Sequence, residues 1–213
     1  MLNPVPATDG QVDHYLAMAG QKSSITLETS TSATSVKAFL GGDTSVGGVN
    51  AGDVDVTKLS FGAGPIFGID APGKAQVGGN AMYMLKTSSN EKQSAAWDFM
   101  KWWNQVDQQV VWHLEGSYLP WVNKAVDDPK VQAFWKDDLA GQWLGIAYKE
   151  MKDGVNPDYT GPRFGAYDKF RKSMRSALDA VVFKGEDPKA ALTKANQETT
   201  DAIEEYNAGN FGG

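Results

Sequence analysis

The run Val77-Gly78-Gly79-Asn80, opening onto Ala81-Met82-Tyr83-Met84-Leu85, constrains this chain more than any other stretch. Two adjacent glycines let a main chain approach a neighbouring group with no Cβ in the way. The β-prone run behind them predicts a strand. A Trp-rich helical pattern follows over 90–106, and after it the turn Gly116-Ser117-Tyr118-Leu119-Pro120. A close-approach backbone, a rigid helix and an aromatic on a second loop therefore lie near one another in the chain. That order suits a ligand cleft, and no catalytic motif accompanies it.

The 213 residues allow one large domain or two small ones, and 41% hydrophobic with 22% charged residues predicts a packed core rather than disorder. A net charge of -6, with Lys and Arg scattered, argues against nucleic acid as a partner, because phosphate binding needs a basic face. With no cysteine there are no disulfides, thiolate metal sites or Cys nucleophiles. No apolar run approaches the roughly 20 residues of a membrane span. The start, Met1-Leu2-Asn3-Pro4-Val5-Pro6, has neither a basic nor an apolar signal-peptide region, so either the protein is cytoplasmic or a longer chain precedes it. Seven Trp is high for the length, and indole rings floor many sugar sites as well as cores.

Periodicity predicts helices over 9–18, 32–40, 90–106, 107–114, 129–135 and 138–151, and two long ones at the end. Asp9, Ser32, Ser89 or Asn90, and the Asp residues preceding 129 and 138 are the expected caps. Within 90–106 the residues Ala96, Phe99, Trp103 and Val106 share a face. Tyr167, Phe170, Met174, Ala177, Leu178, Val181 and Val182 form a stripe that Gly185 ends, and Asp187-Pro188 restarts a helix as cap and first-turn proline. Strands are predicted at Ser24–Thr29, Leu59–Ile66 and Val77–Leu85, and residues 41–58 read as a surface loop. The expected fold class is α/β.

The chemistry is mostly one of absences. His14 and His113 have no metal-ligand spacing, and His113, beside Trp112 and Leu114, reads as structural. No nucleophile elbow or phosphate loop occurs, and Gly62-Ala63-Gly64-Pro65 misses the dinucleotide spacing. The pairs Asp127-Asp128 and Asp137-Asp138 sit at helix starts, where capping explains them. No cofactor and no metal are expected. The residues suited to binding are Gly78 and Gly79, whose backbone can reach a ligand, Tyr118, with a ring face and a hydroxyl, and Arg163, held between Pro162 and Phe164 on a loop before a long helix.

Taken in order, these motifs resemble one family. Gly20-Gln21-Lys22-Ser23-Ser24-Ile25-Thr26-Leu27, Val77-Gly78-Gly79, Ala95-Ala96-Trp97-Asp98-Phe99-Met100-Lys101, Gly116-Ser117-Tyr118-Leu119-Pro120 and Gly185-Glu186-Asp187-Pro188 follow the C-terminal half of an extracytoplasmic solute-binding protein of a bacterial ABC importer, sugar-binding class. The glycerol-3-phosphate-binding and maltose-binding proteins belong to that class.

The resemblance implies a periplasmic-binding-protein-like (type II) fold of two α/β lobes, present here as a partial C-terminal portion. It assigns 1–76 to the C-terminal lobe, 77–83 to a hinge crossing, 84–116 to a helical part of the N-terminal lobe, 117–122 to a second crossing and 123–213 to C-terminal-lobe helices. It implies that Ser30, Ser32, Gly78, Gly79, Asn80, Tyr118, Arg163, Phe164 and Tyr167 line the cleft. The implied partners are a carbohydrate ligand and the permease subunits of the importer. The implied state is a monomer, periplasmic or extracellular, anchored as a lipoprotein through an N-terminal part outside this chain. The sequence departs from the maltose type at Glu28-Thr29, where that type has a Trp. The competing reading is an α/β hydrolase acting on carbohydrate through Asp or Glu. Paired catalytic carboxylates belong at strand ends among aromatics, whereas the pairs here fall at helix caps.

Overall fold

The computed structural model describes residues 14, 17–18, 20–43, 55–68, 73, 75, 77–154 and 164–209. The chain divides into two compact units, residues 7–155 and residues 156–213 with the first six. Most of the helix expected over 9–18 and of the loop expected over 41–58 lies outside the described residues.

In the larger unit a 3-10 turn, Ser30–Ser32, leads into α1 (Ala33–Leu40), and a second, Val56–Lys58, follows. Five helices come next: α2 (Asn90–Trp103), α3 (Val106–Gly116), α4 (Asn123–Val126), α5 (Pro129–Asp137) and α6 (Leu139–Gly154). Their starts follow the expected chemistry. Ser89 Oγ accepts from the Lys92 N–H at 3.4 Å, Asp128 Oδ1 from Lys130 at 2.8 Å, and Asp138 Oδ1 from Ala140 at 2.9 Å. Each satisfies a donor that a first helical turn leaves without an internal partner. Burial pushes the Asp138 carboxyl up, but Lys37 and the Gly141 and Ala140 amides outweigh it and hold it below the usual carboxylate value. The Lys37–Asp138 pair also ties α1 to the start of α6.

The core of this unit is built in two adjoining groups. Ala33, Ala140 and Leu144 pack with Leu119, Phe134, Trp135 and Trp143 where α6 meets α1 and α5. Val110, Ala125 and Val131 pack with Val106, Leu114, Val122 and Trp135 where α3 meets α4 and α5. Trp135 belongs to both and joins them. Leu144 is fully buried. Truncating such a side chain costs about 2–5 kcal/mol, so Leu144→Ala is expected to lower the unfolding free energy from a urea melt by that amount, and an unchanged midpoint would contradict this packing.

Three expectations are corrected. Residues 25–29, 59–68 and 77–85 form neither helix nor ladder, so the strands expected at Ser24–Thr29, Leu59–Ile66 and Val77–Leu85 are not built, and no strand occurs among the described residues. β-propensity is expressed through a partner's hydrogen bonds and side chains. Among the described residues these runs have no partner strand, and Tyr83 stands 83% exposed. The expected α/β class is therefore not met among the described residues, where the only regular elements are helices. The helix expected over 90–106 stops at Trp103, because the Asn104 side-chain amide donates to the Met100 carbonyl at 2.8 Å and competes with the next helical turn. Finally, the Ala96–Phe99–Trp103 face of α2 is not buried, since α2 contains no buried residue. A periodic stripe identifies a face that can be covered, not what covers it.

The smaller unit is a helical pair, α7 (Tyr167–Lys184) and α8 (Pro188–Asn207). Gly185 ends α7 in the left-handed conformation, φ 70°, which costs glycine little. Asp187 Oδ1 then caps α8 through the Ala190 N–H at 2.8 Å, with Pro188 in the first turn. The seam is made of small side chains, Ala177 and Ala180 against Ala191 and Ala195. The Ser173 hydroxyl donates to Glu198 at 2.7 Å beside it. Of the stripe expected on α7, Ala177 is buried and Val181 packs against the seam, while Met174, Leu178 and Val182 are exposed. Among the described residues no helix is long and apolar enough to cross a membrane.

Candidate functional site

The site grows from the end of α3. Ser117 adopts a left-handed conformation, φ 58°, and is fully buried. A non-glycine residue there costs roughly 1–2 kcal/mol, so its surroundings must hold it. They do so through α1. The Ser117 hydroxyl accepts from the Thr34 N–H at 3.1 Å and donates to Thr34 Oγ1 at 2.8 Å. Ser32 occupies the cap position of α1 but makes no cap bond, its hydroxyl donating instead to the Thr29 carbonyl at 2.8 Å. Ser117 therefore caps α1 from 83 residues away.

His113 holds the next residue. It is fully buried. Its Nε2 lies 2.7 Å from Trp135 Nε1, which can only donate, so Nε2 accepts. The neutral ring then carries its proton on Nδ1, which donates to the Tyr118 carbonyl at 2.8 Å. Burial pushes the His113 pKa below its ordinary 6.5, although the Tyr118 carbonyl pulls the other way. Charging the ring would also turn two N–H groups against each other at Trp135. The expectation of a satisfied structural histidine holds.

A pH dependence follows. The folded pKa lies below the unfolded one, so between the two the unfolded chain binds more protons, and stability rises with pH through that window. The contribution is complete above about pH 6.5 and is lost as pH falls toward the folded value. The charged side chains of the elements packed on α3 are all exposed: Glu91, Lys92, Asp98 and Lys101 on α2, Lys124 on α4, and Lys130, Lys136 and Asp137 on α5. The wild-type melting temperature should fall from about pH 7 to about pH 5, and His113→Gln should flatten that slope. Parallel profiles for the two proteins would contradict this.

On these anchors stands an array of rings. Tyr118 stacks on Trp112 with centroids 5.0 Å apart and planes at 26°. Trp112 meets Trp103 edge-on at 4.9 Å. Beside them lies a cavity of about 300 Å³ lined by Asn80, Met82, Trp97, Met100, Trp103, Asn104 and Trp121. This is at the lower end of the roughly 300–1,000 Å³ of small-molecule sites. Trp121 Nε1 donates to Asn104 Oδ1 at 2.8 Å, fixing both side chains at the rim. Asn80 Nδ2 donates to the Tyr118 hydroxyl at 3.3 Å, which ties the cavity to the Tyr118 loop. Trp97 and Trp121 remain 55% and 52% exposed. The lining contains no formally charged side chain. It offers ring faces and amides, which suit a neutral ligand having both an apolar face and hydroxyl groups.

The sequence-predicted residues fall into three groups. Asn80 and Tyr118 come into contact, with Gly78 and Gly79 directly before Asn80. A Cβ at either glycine would meet nothing within 4 Å, so the demand for glycine at 79 is conformational, φ 157°. Ser30 and Ser32 lie on the turn that leads into α1, whose N-terminus Ser117 caps. Phe164 and Tyr167 belong to the other unit, where they pack with Phe170, the Phe164–Tyr167 centroids 5.7 Å apart. Arg163 lies outside the described residues. The residues missed were Trp97, Met100, Trp103, Asn104 and Trp121. The Trp count was the available signal for them, but periodicity said only that Trp103 shares a helix face with Ala96, Phe99 and Val106.

The described residues hold no group of His, Asp or Glu that could bind a metal ion. Asp128 and Asp138, the capping members of the two carboxylate pairs, are engaged with backbone amides. A family model described as bacterial extracellular solute-binding protein matches residues 8–141 of the chain. No curated protein and no solved structure is significantly similar to it.

Proposed function

We propose a receptor function on one premise: the chain belongs to the bacterial extracellular solute-binding protein family. Such a protein is a binding receptor for an ABC importer, with a solute as ligand and the permease as partner. We extend this to a carbohydrate ligand and to delivery of it without chemical change. The observation that carries the extension is the uncharged cavity of three indoles and two amides beside the Tyr118 loop. Apolar sugar faces stack on such rings while amides and the Tyr118 hydroxyl meet sugar hydroxyls. In the same reading residues 77–83 and 117–122 are crossings between two lobes of a monomeric, cell-surface lipoprotein receptor. In that reading Ser30, Ser32, Gly78, Gly79, Arg163, Phe164 and Tyr167 are cleft-lining residues. No observation favours the hydrolase alternative.

The test is calorimetric titration of the full chain with glucose, maltose, trehalose, glucose 6-phosphate, glutamate and a tripeptide. The expected result is binding of a neutral saccharide and weaker binding of the phosphate. If no saccharide binds while the amino acid or peptide does, the carbohydrate assignment is wrong. A charge-assisted bond to Arg contributes about 1.5–3 kcal/mol. If Arg163 reaches the ligand, Arg163→Ala weakens binding by roughly one to two orders of magnitude, and equal affinity in a folded variant removes it from the site.

A further inference from the structure

We infer that His113 and Trp135 form a positioning relay that sets the Tyr118 loop for ligand binding: the Trp135 indole fixes the Nδ1–H form of His113, and that N–H holds the Tyr118 carbonyl. The inference rests on the cavity beside Tyr118 being the binding site, but its geometry stands without any ligand.

A chain of five contacts carries it. Tyr118 follows a buried residue in a strained left-handed conformation, so its own backbone direction is poorly determined by local preference. Ser117 is pinned on one side by Thr34 and Tyr118 on the other by His113 Nδ1, at 2.8 Å. Beyond this point the Tyr118 ring lies on Trp112 and its hydroxyl accepts from Asn80, which lines the cavity. Trp135, on α5, is thus connected through His113 to the polar edge of the cavity. A ring that must donate at one nitrogen and accept at the other needs a partner that selects the tautomer. The indole N–H, which cannot accept, is such a partner. Packing alone would not need the N–H of Trp135, which sits among apolar side chains, nor the two nitrogens of His113, whose ring meets those of Phe134 and Trp135 edge-on.

The experiment combines a ligand-free and a liganded readout on the full chain. Nitrogen-15 NMR of the imidazole at neutral pH is expected to find a protonated Nδ1 and a bare Nε2. An Nε2–H ring or an imidazolium would overturn the relay outright. Trp135→Phe keeps an aromatic ring, though a smaller one, and removes the indole N–H. It should leave far-UV circular dichroism unchanged, alter the near-UV signal of the Tyr118–Trp112 stack, and weaken maltose binding about tenfold. His113→Asn retains a donor toward the Tyr118 carbonyl and should keep more of that near-UV signal than His113→Leu. Identical near-UV spectra for folded His113→Asn and His113→Leu, which both keep every indole, would also overturn the proposal. Because the tautomer and the near-UV signal require no sugar, a failure of the carbohydrate assignment is told apart from a failure of the relay.

Discussion

Replacing Trp121 by Ala should weaken binding of a neutral saccharide roughly 10- to 100-fold while shifting the melting temperature by no more than a degree or two. The asymmetry follows from where the ring sits. Trp121 is 52% exposed, so the fold gains little from it beyond its hydrogen bond to Asn104. A ligand seated in the cavity covers the ring face that the fold leaves open. Tryptophan presents some 150–250 Å² in all. Burying about a third to a half of that at ~25 cal/mol per Å² contributes on the order of 1.5–3 kcal/mol. Trp121→Phe should lose less, since a ring face remains and only the Asn104 contact is broken. Calorimetric titration with the saccharide that binds the wild type, paired with a thermal melt, checks both halves. Wild-type affinity in folded Trp121→Ala would move the site away from this cavity.

What the sequence made legible was the local chemistry. Asp128 and Asp187 cap helices as their positions before proline required, and of the pair Asp137-Asp138 it is Asp138 that caps. Gly185 takes its left-handed turn. These contacts span two or three residues, so spacing alone specifies them. Tyr118 and Asn80 also meet, 38 residues apart, as the order of the glycine run and the second loop suggested. The contacts that shape the site were not legible. Ser117 reaches Thr34 across 83 residues, and Trp121 reaches Asn104 across 17. Both depend on how helices pack, which periodicity does not encode. The strand expectations failed for the same kind of reason, because a ladder is a property of two segments and propensity describes one. Trp103 was placed on an apolar helix face by its spacing. In the fold it serves a cavity, and the pattern of apolar positions on α2 could not separate a cavity wall from a core.

Adding one methyl group at Gly141 should destabilise the chain by about 1–3 kcal/mol or more, a larger penalty than most surface truncations carry. A Cβ built there would stand 1.9 Å from the Phe134 carbonyl oxygen and 2.4 Å from its carbon. These are backbone atoms of α5, so no side-chain rotation relieves the clash, and α5 must move away from α6. Phe134 and Trp135 both pack against the Ala33–Ala140–Leu144 group, and that packing opens with the helix. For a chain of this length each kcal/mol shifts the melting temperature by roughly 2–4 °C. Gly145, one turn along α6, is the control. Its nearest contact is the Trp135 ring at 3.5 Å, ordinary van der Waals distance. Gly145→Ala should therefore be neutral or stabilising by up to about 1 kcal/mol, as expected for a helix-interior glycine. Urea melts of the two variants beside the wild type decide the matter. If Gly141→Ala unfolds at the wild-type midpoint, the close crossing of α5 and α6 is wrong. If it unfolds early, the near-UV signal of the Tyr118–Trp112 stack should change at denaturant concentrations where Gly145→Ala is still native, because Trp135 travels with α5 and His113 follows Trp135.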